Sequence, residues 1–504
     1  MMLEYQIEAA LTVLPAVGLA GRRKIKSAVR NINAGNLIDV LNKALAVHAA
    51  NAREISYLYD YYKGLQDVRF KEKIVRENIN EKVCVNRANE IVTFKSSFLL
   101  EEPIQYISHN GDDKVSALVN NLNELMREAD KEACDKSVVD WMHICGVAER
   151  LVVRNEDRDA DVPFEIFTVD PRRAFVIYRD GIGEKPMAGV LLGTDEDGAL
   201  TADVYTETVH YFVKGDEVST VAAPQYGGIP LVEYLNNEAR LGAFEPVISI
   251  LNGINQLESN ALDSVEDFVN GFDVFQNCDV ADGDYQDLAI GGKAVKIKTV
   301  TPGMEAKVYR VSSEISQQGV QTRVDDLTSA YLEICGMPNR NGGSSTSDTG
   351  QATIFRDGWA TAVSRAHETE TMFRRSERQF CKIALQICKT QGLEVPELAD
   401  FECEFLAHKL SNLQSKVQAL CEMLNNPMIH PKHAYAAAGV FDDNEAAYRD
   451  GMEWNEQQER KQEEALNDAL DAERERLKNN GVSKTVPAGG QNAGGAEPEG
   501  DPAV

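Results

Sequence analysis

The sequence lacks the features that would place it in a membrane, an oxidising compartment or a secretion pathway. No uninterrupted apolar run approaches the ~20 residues that a helix needs to span a bilayer. The nine cysteines are odd in number, scattered and never spaced as CxxC, which argues against a disulfide framework and a zinc site. The basic residues at 22–26 follow an apolar stretch, the reverse of a signal peptide. We therefore expect a soluble intracellular product.

The sequence also lacks an excess of basic residues. Its 52 Lys and Arg residues stand against 80 Asp and Glu, so the formal net charge is −28. Tight binding of nucleic acid by phosphate neutralisation needs a basic surface and is not expected here. An acidic surface past which DNA slides without adhering remains compatible with this charge. The length of 504 residues allows two to four domains with ample core.

Catalytic and metal-binding motifs are equally scarce. There is no GxxxxGK[ST] phosphate loop, so nucleotide hydrolysis has no support. The segment His367–Glu370 begins like HExxH but lacks the second histidine, and His430 and His433 have no third ligand nearby in the sequence. Four aspartates resemble a calcium loop only loosely, and an acidic turn is favoured over a cation site that stays open: Asp279, Asp282, Asp284 and Asp287. We expect no enzymatic activity, no cofactor and no bound metal.

The N-terminal half predicts helices and then an antiparallel β region. Apolar residues at helical spacing predict helices within residues 1–50, over Asn86–Leu100 and over Val115–Cys145. From Gly146 the pattern changes to short runs of β-branched and aromatic residues, separated by turns that contain Asp, Gly or Pro. These runs predict five or six strands and a final one that leads into a long helix: Leu151–Arg154, Phe164–Val169, Ala174–Tyr178, Met187–Leu192, Asp203–Phe212 and Val232–Leu235.

The most distinctive pattern lies between residues 243 and 349. Two amphipathic helices flank a strand-and-turn segment, and a Gly/Ser/Thr-rich loop follows the second helix. The predicted bounds are Ala243–Asn270 and Ser312–Cys335 for the helices, 271–311 for the segment between them and Asn339–Thr349 for the loop. The first helix is roughly 42 Å long at 1.5 Å per residue. Two helices with a small β module between them make structural sense if many copies of the chain are arranged side by side around an axis.

The remainder is predicted to be helical. A third long helix covers Gln351–Thr390, where Gly358 would permit a bend. Further helices are predicted at Leu410–Leu424, Pro431–Gly439 and Asn444–Lys478, the last one mostly charged and solvated. The residues from Asn480 onward are rich in Gly, Pro, Ala and Glu and are expected to be disordered.

Four stretches in this order resemble the portal proteins of tailed bacteriophages, particularly those with long non-contractile tails. They are Tyr57–Gly64, Asn86–Pro103, Asp170–Tyr178 and Gly228–Glu238, the last running into the helix start at Phe244–Ile248. No single motif is diagnostic, and the resemblance rests on their order over roughly residues 50 to 390.

The resemblance implies a mixed α+β, mainly helical portal fold, with wing, stem, clip and crown regions assembled as a ring of usually twelve subunits. Carried over by position, its regions are an N-terminal helical extension (1–50), a wing (51–240), a first stem helix (241–270), a clip (271–311), a second stem helix (312–337), a tunnel loop (338–350), a long wing helix (351–395), a helical crown (396–479) and a disordered tail (480–504).

The resemblance also gives three groups of residues a function. The stem residues would pack between subunits or, alternatively, in the chain's own core: Val247, Leu251, Ile254, Val265, Phe268, Val324, Leu327 and Tyr331. The basic clip residues would contact a packaging motor, a tail adaptor or DNA, or would merely face solvent: Lys293, Lys296, Lys298, Lys307 and Arg310. The tunnel-loop residues would gather at the channel axis, where Arg340 would touch DNA transiently: Asn339, Arg340, Asn341, Gly342, Gly343, Ser344, Ser345 and Thr346.

The implied function is that of the head–tail connector at one capsid vertex, assembled in the bacterial cytoplasm and retained in the virion. Its partners would be further copies of itself, the terminase, head–tail adaptors, the major capsid and scaffolding proteins, and double-stranded DNA in the channel, with no membrane. Two alternatives stay open. One is a metal-dependent nuclease or hydrolase that uses Asp279–Asp287, and the other is a morphogenesis scaffold that forms no channel.

Overall fold

The computed structural model describes residues 19, 21–74, 79–109, 113–157, 161–223, 226–269, 272–279, 298–301, 303–311, 317–339, 358–405, 413–441 and 444–480. The chain divides into two compact units, Met1–Leu410 and Ser411–Val504. Within these ranges no helix combines the length and the apolar character that crossing a bilayer requires.

The first unit combines long helices with short strands. Its helices are α1 (Leu37–Tyr62), α2 (Arg87–Leu99), α3 (Asp113–Glu128), α4 (Lys131–Cys145), α5 (Ile248–Val269), α6 (Gln317–Cys335) and α7 (Trp359–Thr390). Its strands are β1 (Ile25–Ser27), β2 (Gln105–Ser108), β3 (Val147–Arg154), β4 (Phe164–Val169), β5 (Ala174–Arg179), β6 (Pro186–Thr194), β7 (Leu200–Thr206), β8 (His210–Lys214), β9 (Glu217–Ala222), β10 (Leu231–Leu235), β11 (Phe272–Gln276), β12 (Cys278–Asp279), β13 (Lys298–Thr299), β14 (Lys307–Val311) and β15 (Phe401–Glu404). The second unit contains α8 (Leu413–Leu424), α9 (Pro431–Ala438) and α10 (Asn444–Asn480).

Two sheets form the β region of the first unit. The larger has the order β1-β5-β6-β7-β8-β9, in which β1 runs parallel to β5 and the other neighbours are antiparallel. The smaller has the order β10-β3-β4 and packs with α3, α4 and α7 around one apolar cluster. Because strand side chains alternate between faces, each sheet offers an apolar face to helices.

Helix α1 connects the larger sheet to the rest of the core. Its first half, with Leu37 and Leu41, covers Phe175 and neighbouring residues of the sheet. Its second half, with Leu58 and Tyr61, joins a separate cluster formed with α2, α5 and α6. The same helix therefore supports the sheet and the base of the α5–α6 pair.

The structure confirms several predicted elements and corrects others. Helix α2 follows the prediction, and the side chain of Asn86 caps it by accepting a hydrogen bond from the Asn89 amide at 3.3 Å. The single helical stretch predicted up to Cys145 is wrong: Asp130 has a φ of +51°, which ends the helical path and separates α3 from α4. The run Asp203–Phe212 is also not one strand, because a turn at 207–209 separates β7 from β8.

The ends of the first unit differ from the prediction as well. Residues 1–50 are not simply helical, because β1 is extended and α1 crosses position 50 without a break. The helix predicted from Gln351 is not continuous through Gly358, whose φ of +83° is left-handed and precedes the start of α7. The predicted helical region from 396 begins instead with β15, which pairs with β2 in the first unit.

A charged cluster lies inside the core between α4, β3 and α7. Arg150 pairs with Asp135 and with Glu377, whose Oε2 lies 3.1 Å from Arg150 Nη1. Lys131 Nζ lies 2.9 Å from Glu377 Oε1. All four side chains are buried, so each charge depends on its partners rather than on water.

Two tyrosine hydroxyls complete this cluster. Tyr106 and Tyr234 each donate to a carboxylate oxygen of Glu377 at 2.6 Å. Burial by itself raises the pKa of Glu377, but Lys131, Arg150 and the two hydroxyls outweigh it and lower the pKa to about 2. Glu377 is therefore ionised in the folded protein.

Candidate functional site at the base of the α5–α6 helix pair

The two helices of the pair bury their inner halves within the chain itself. Leu327 is partly buried against the cluster that the pair shares with α1 and α2. Five of the predicted packing residues are buried members of this cluster: Val247, Leu251, Ile254, Val324 and Tyr331. These residues are therefore buried in the chain's own core, and a contribution to packing between subunits stays a prediction. Val265 differs, because its side chain is 44% exposed, as is that of Leu262 at 47%. The side chain of Phe268 lies outside the described part of the chain.

A polar stripe on α5 holds an extended segment at residues 79–85. The Val85 amide donates to Asn255 Oδ1 at 2.8 Å, and the Val83 amide donates to Ser259 Oγ at 3.0 Å. One turn further, the Glu81 amide donates to Asp263 Oδ1 at 2.7 Å. The three side chains are spaced four residues apart, so they share one helix face. These residues were not among the predicted site residues, although polar residues at 255, 259 and 263 within an apolar helix were a usable signal.

The start of α5 is fixed by a buried arginine from the N-terminal segment. Arg22 Nη2 lies 2.7 Å from Glu245 Oε1, and Nη1 donates to the Cys145 carbonyl at 3.1 Å. The other Glu245 oxygen accepts a hydrogen bond from the Gly242 amide at 2.8 Å. Arg22 also pairs with Glu54 of α1 at 3.1 Å. The chain from β10 to α5 is thereby tied to both α1 and the end of α4.

A second buried group, with two carboxylates, lies beside this connection. Glu149 on β3 and Glu233 on β10 are direct partners in the strand register. Glu233 pairs with Arg240 and accepts a hydrogen bond from the Tyr178 hydroxyl at 2.6 Å. Among the described residues, Glu149 Oε2 has no hydrogen-bond partner. Burial, together with repulsion from Glu233 and Asp170, raises the pKa of Glu149 well above its ordinary value, although Arg240 opposes the shift.

We expect the change in free energy of unfolding caused by Glu149→Gln to be more favourable at neutral pH than near pH 4, by about 1–3 kcal/mol. The raised pKa means that the fold favours the protonated carboxyl. Its contribution to stability is complete below the ordinary value of 4.5 and is lost as the pH rises towards the folded-state pKa. Denaturant unfolding between pH 4 and 8 measures the difference. Glu165→Gln, at an exposed position on β4, is the control, and an equal pH dependence in both variants would contradict the expectation.

The C-terminal end of α6 and the N-terminal end of α7 lie close together. Gly336 has a φ of +66°, and the Met337 amide donates to the Leu332 carbonyl at 2.8 Å while the Gly336 amide donates to Glu333 at 3.1 Å. This glycine ends the helix at Cys335, the C-terminal bound that the sequence predicted. A Cβ on Gly358 would lie 3.8 Å from the Met337 carbonyl oxygen, so the two ends of residues 339–357 meet.

An aromatic groove lies beside these two loop ends. Trp359 packs against Phe94 and Phe98 of α2, with ring centroids 6.1 and 6.0 Å apart. The groove has a volume of about 740 Å³ and also borders Tyr331 and Asn339. Of the predicted tunnel-loop residues, Asn339 is placed here, and its amide donates to Ser329 Oγ at 3.4 Å. Arg340, Asn341, Gly342, Gly343, Ser344, Ser345 and Thr346 lie outside the described residues.

The segment between the two helices contains the predicted strands. β11 pairs with β14 and β12 pairs with β13, both antiparallel. Lys298 lies on β13, and Lys307 and Arg310 lie on β14; Lys307 Nζ is 3.2 Å from Glu305 Oε2. Lys293 and Lys296 lie outside the described residues, as do Asp282, Asp284 and Asp287. A joint role of these groups therefore stays a prediction.

The two histidine motifs form ordinary contacts. His367 Nδ1 lies 2.8 Å from Glu370 Oε2, and this carboxylate is buried. His430 accepts a hydrogen bond from the Lys432 amide at the start of α9, 6.0 Å from the ring of His433. Within the described ranges, no group of three or more His, Cys, Asp or Glu residues is arranged to hold a metal ion.

The features above define the class of protein by its fold: a mixed α/β body that anchors a helix pair and brings Met337 and Gly358 close together. The family model described as "Phage portal protein, SPP1 Gp6-like" matches residues 41–468, and the chain belongs to this family of phage portal proteins. The comparison with curated proteins gave no match.

Two solved structures contain similar chains. One comes from the neck of an empty GTA particle computed with C6 symmetry, with 10% identity, a TM-score of 0.41, and coverage of 77% of this chain and 94% of that chain. The other comes from the virion of a native gene transfer agent (GTA) particle, with 11% identity and the same TM-score and coverage. The functional assignment rests on the family match.

Proposed function

We propose that this portal protein assembles into a closed ring of usually twelve subunits that forms the DNA channel at one capsid vertex. The family match over residues 41–468 carries the proposal. In this assembly α5 and α6 are the stem, residues 271–311 the clip and residues 338–350 the tunnel loop. The ring would dock the terminase during packaging, later seat the head–tail adaptors, contact capsid and scaffolding proteins, and perform no catalysis itself.

The two halves of α5 have different surroundings, which supports a different role for each half. Its inner half packs into the chain's own core, so the helix has a fixed direction. Its outer half exposes Leu262 and Val265, which neighbouring copies would cover in a closed ring. The net charge of −28 would limit adhesion of DNA to the channel wall.

The first test is electron microscopy of the purified protein together with a double variant, Leu262→Glu/Val265→Glu. The unaltered chain is expected to give ring-shaped end views with a central hole. The variant is expected to lose most rings, because two carboxylates cannot be buried between stems without partners. Its circular dichroism spectrum and unfolding midpoint are expected to stay near those of the unaltered protein, since both positions are exposed in the monomer.

Ile182→Glu is the control, because Ile182 is a fully exposed apolar residue on the turn between β5 and β6. It should leave the rings intact. Compact monomers of the unaltered protein at high concentration would overturn the ring proposal. Normal rings from the double variant would overturn the role given to the outer half of α5.

A further inference from the structure

A basic cleft lies between the larger sheet and α7, separate from the helix pair. It has a volume of about 740 Å³ and is bordered by residues 30–32, by β5 and β6, by the turn after β7 and by α7. Its lining mixes polar and apolar surface, and its floor is formed by apolar side chains, of which Ile229 and Ile383 are buried and three others are half-buried: Ile32, Pro186 and Met187. A cleft of this size accommodates a few side chains of a bound segment rather than a folded domain.

Four cations surround this floor: Arg30, Arg179, Lys185 and Lys382. All four side chains are exposed, and in the described part of the chain none of them forms an ion pair. Arg179 Nη2 donates only to the Arg30 carbonyl oxygen, at 3.2 Å. Glu207 supplies a carboxylate at the border. Three different parts of the chain thus bring like charges together without neutralising them, in a protein whose net charge is −28.

We propose that this cleft is a docking site for a protein partner that presents a short acidic, amphipathic segment. Apolar side chains of the segment would cover the floor, while its carboxylates would meet the four cations. Such complementarity speeds association and selects the partner, and carboxylate–guanidinium pairs add directional hydrogen bonds.

The same observations disfavour two other occupants. Double-stranded DNA offers phosphates but no apolar side chains for the floor, and the protein's overall charge repels it at long range. A permanent contact with a second copy would be expected to bury a larger and more apolar surface than this charged cleft provides. A transient, salt-sensitive contact with a protein partner agrees better with the exposed cations.

The experiment measures binding of a fluorescein-labelled synthetic peptide to the full-length protein by fluorescence anisotropy. The peptide is a helix-forming 14-mer with leucines at i and i+4, flanked by glutamates. We expect saturable binding that weakens as salt is raised. A peptide of the same charge with serine in place of both leucines should bind about tenfold more weakly, since it cannot cover the floor.

Charge reversal in the cleft supplies the site-specific comparison. Lys382→Glu and Arg179→Glu are each expected to weaken binding of the leucine peptide by about tenfold or more. Lys43→Glu, which reverses an exposed lysine on α1 outside the cleft, is the matched control and should change binding little. Unfolding midpoints of the three variants should agree with that of the unaltered protein, because all three positions are exposed.

Four results of the binding measurements would overturn the proposal. They are absence of saturable peptide binding, equal binding of the serine peptide, equal weakening by Lys43→Glu, and cleft-dependent binding of a labelled DNA duplex more tightly than the peptide. Loss of rings in Lys382→Glu would identify a second copy as the occupant and would also overturn it. Because peptide binding needs only the first unit of one chain, the docking proposal and the ring proposal can fail separately.

Discussion

Glu377→Ala is expected to lower the free energy of unfolding by about 3–5 kcal/mol, because it leaves two buried cations to share one carboxylate. Lys131 and Arg150 would keep their full charge inside the core, with Asp135 as the remaining carboxylate. Two tyrosine hydroxyls would also lose their acceptor. Denaturant unfolding followed by circular dichroism measures the loss.

Two further variants separate the causes of this loss. Glu368→Ala, on the exposed side of the same helix, removes a surface pair with Arg365 at 3.1 Å and should cost at most about 1 kcal/mol. Glu377→Gln keeps one acceptor oxygen for the two tyrosines but removes the charge, so its effect should lie between those of the two alanine variants. If Glu377→Ala cost no more than Glu368→Ala, the cluster would not stabilise the first unit.

Gly146→Ala is expected to cost about 3–5 kcal/mol, from two causes that act together. Gly146 has a φ of +85°, a conformation that alanine adopts only with strain. An added Cβ would also lie 2.3 Å from the Arg240 carbonyl oxygen and 2.8 Å from the Leu241 carbonyl carbon. Both are backbone atoms of the connection that leads into α5, so they cannot yield by a side-chain rotation.

Comparison with Gly198→Ala separates the steric part of this stability loss from the part caused by backbone strain. Gly198 has a similar φ of +80°, but nothing lies within 4 Å of the position of its Cβ. Its replacement should therefore cost only the conformational strain, about 1–2 kcal/mol. Thermal unfolding of both variants gives the comparison. Equal losses would mean that the close approach of the 240–241 backbone to Gly146 contributes nothing.

Local signals in the sequence predicted much of the fold. The bounds of α2, the C-terminal end of α6 and the short strands of residues 147–194 were predicted because each depends on neighbours within a few positions. The break at Asp130 was missed, and Gly358 was expected only to permit a bend, because left-handed residues interrupt helices without disturbing the apolar pattern. Sequence patterns therefore predicted buried positions more clearly than the positions at which helices break.

The candidate site was less accessible to prediction because its contacts join distant parts of the chain. Arg22 pairs with Glu245 across 223 positions, and Val83 bonds Ser259 across 176. The pairing of Glu149 with Glu233 depends on the order of strands in a sheet, which no local pattern gives. The outer half of α5 was predicted from its apolar stripe, but only the structure distinguishes exposed Val265 from buried Ile254.

The meeting of Met337 and Gly358 has a consequence for how this protein can diversify. A segment that departs and returns at one fixed point can be lengthened or shortened without changing the register of the helices on either side. Each doubling of such a segment adds only about 0.6 kcal/mol of closure entropy. Sequence variation can therefore alter the length and charge of residues 340–357 without changing the body on either side of them.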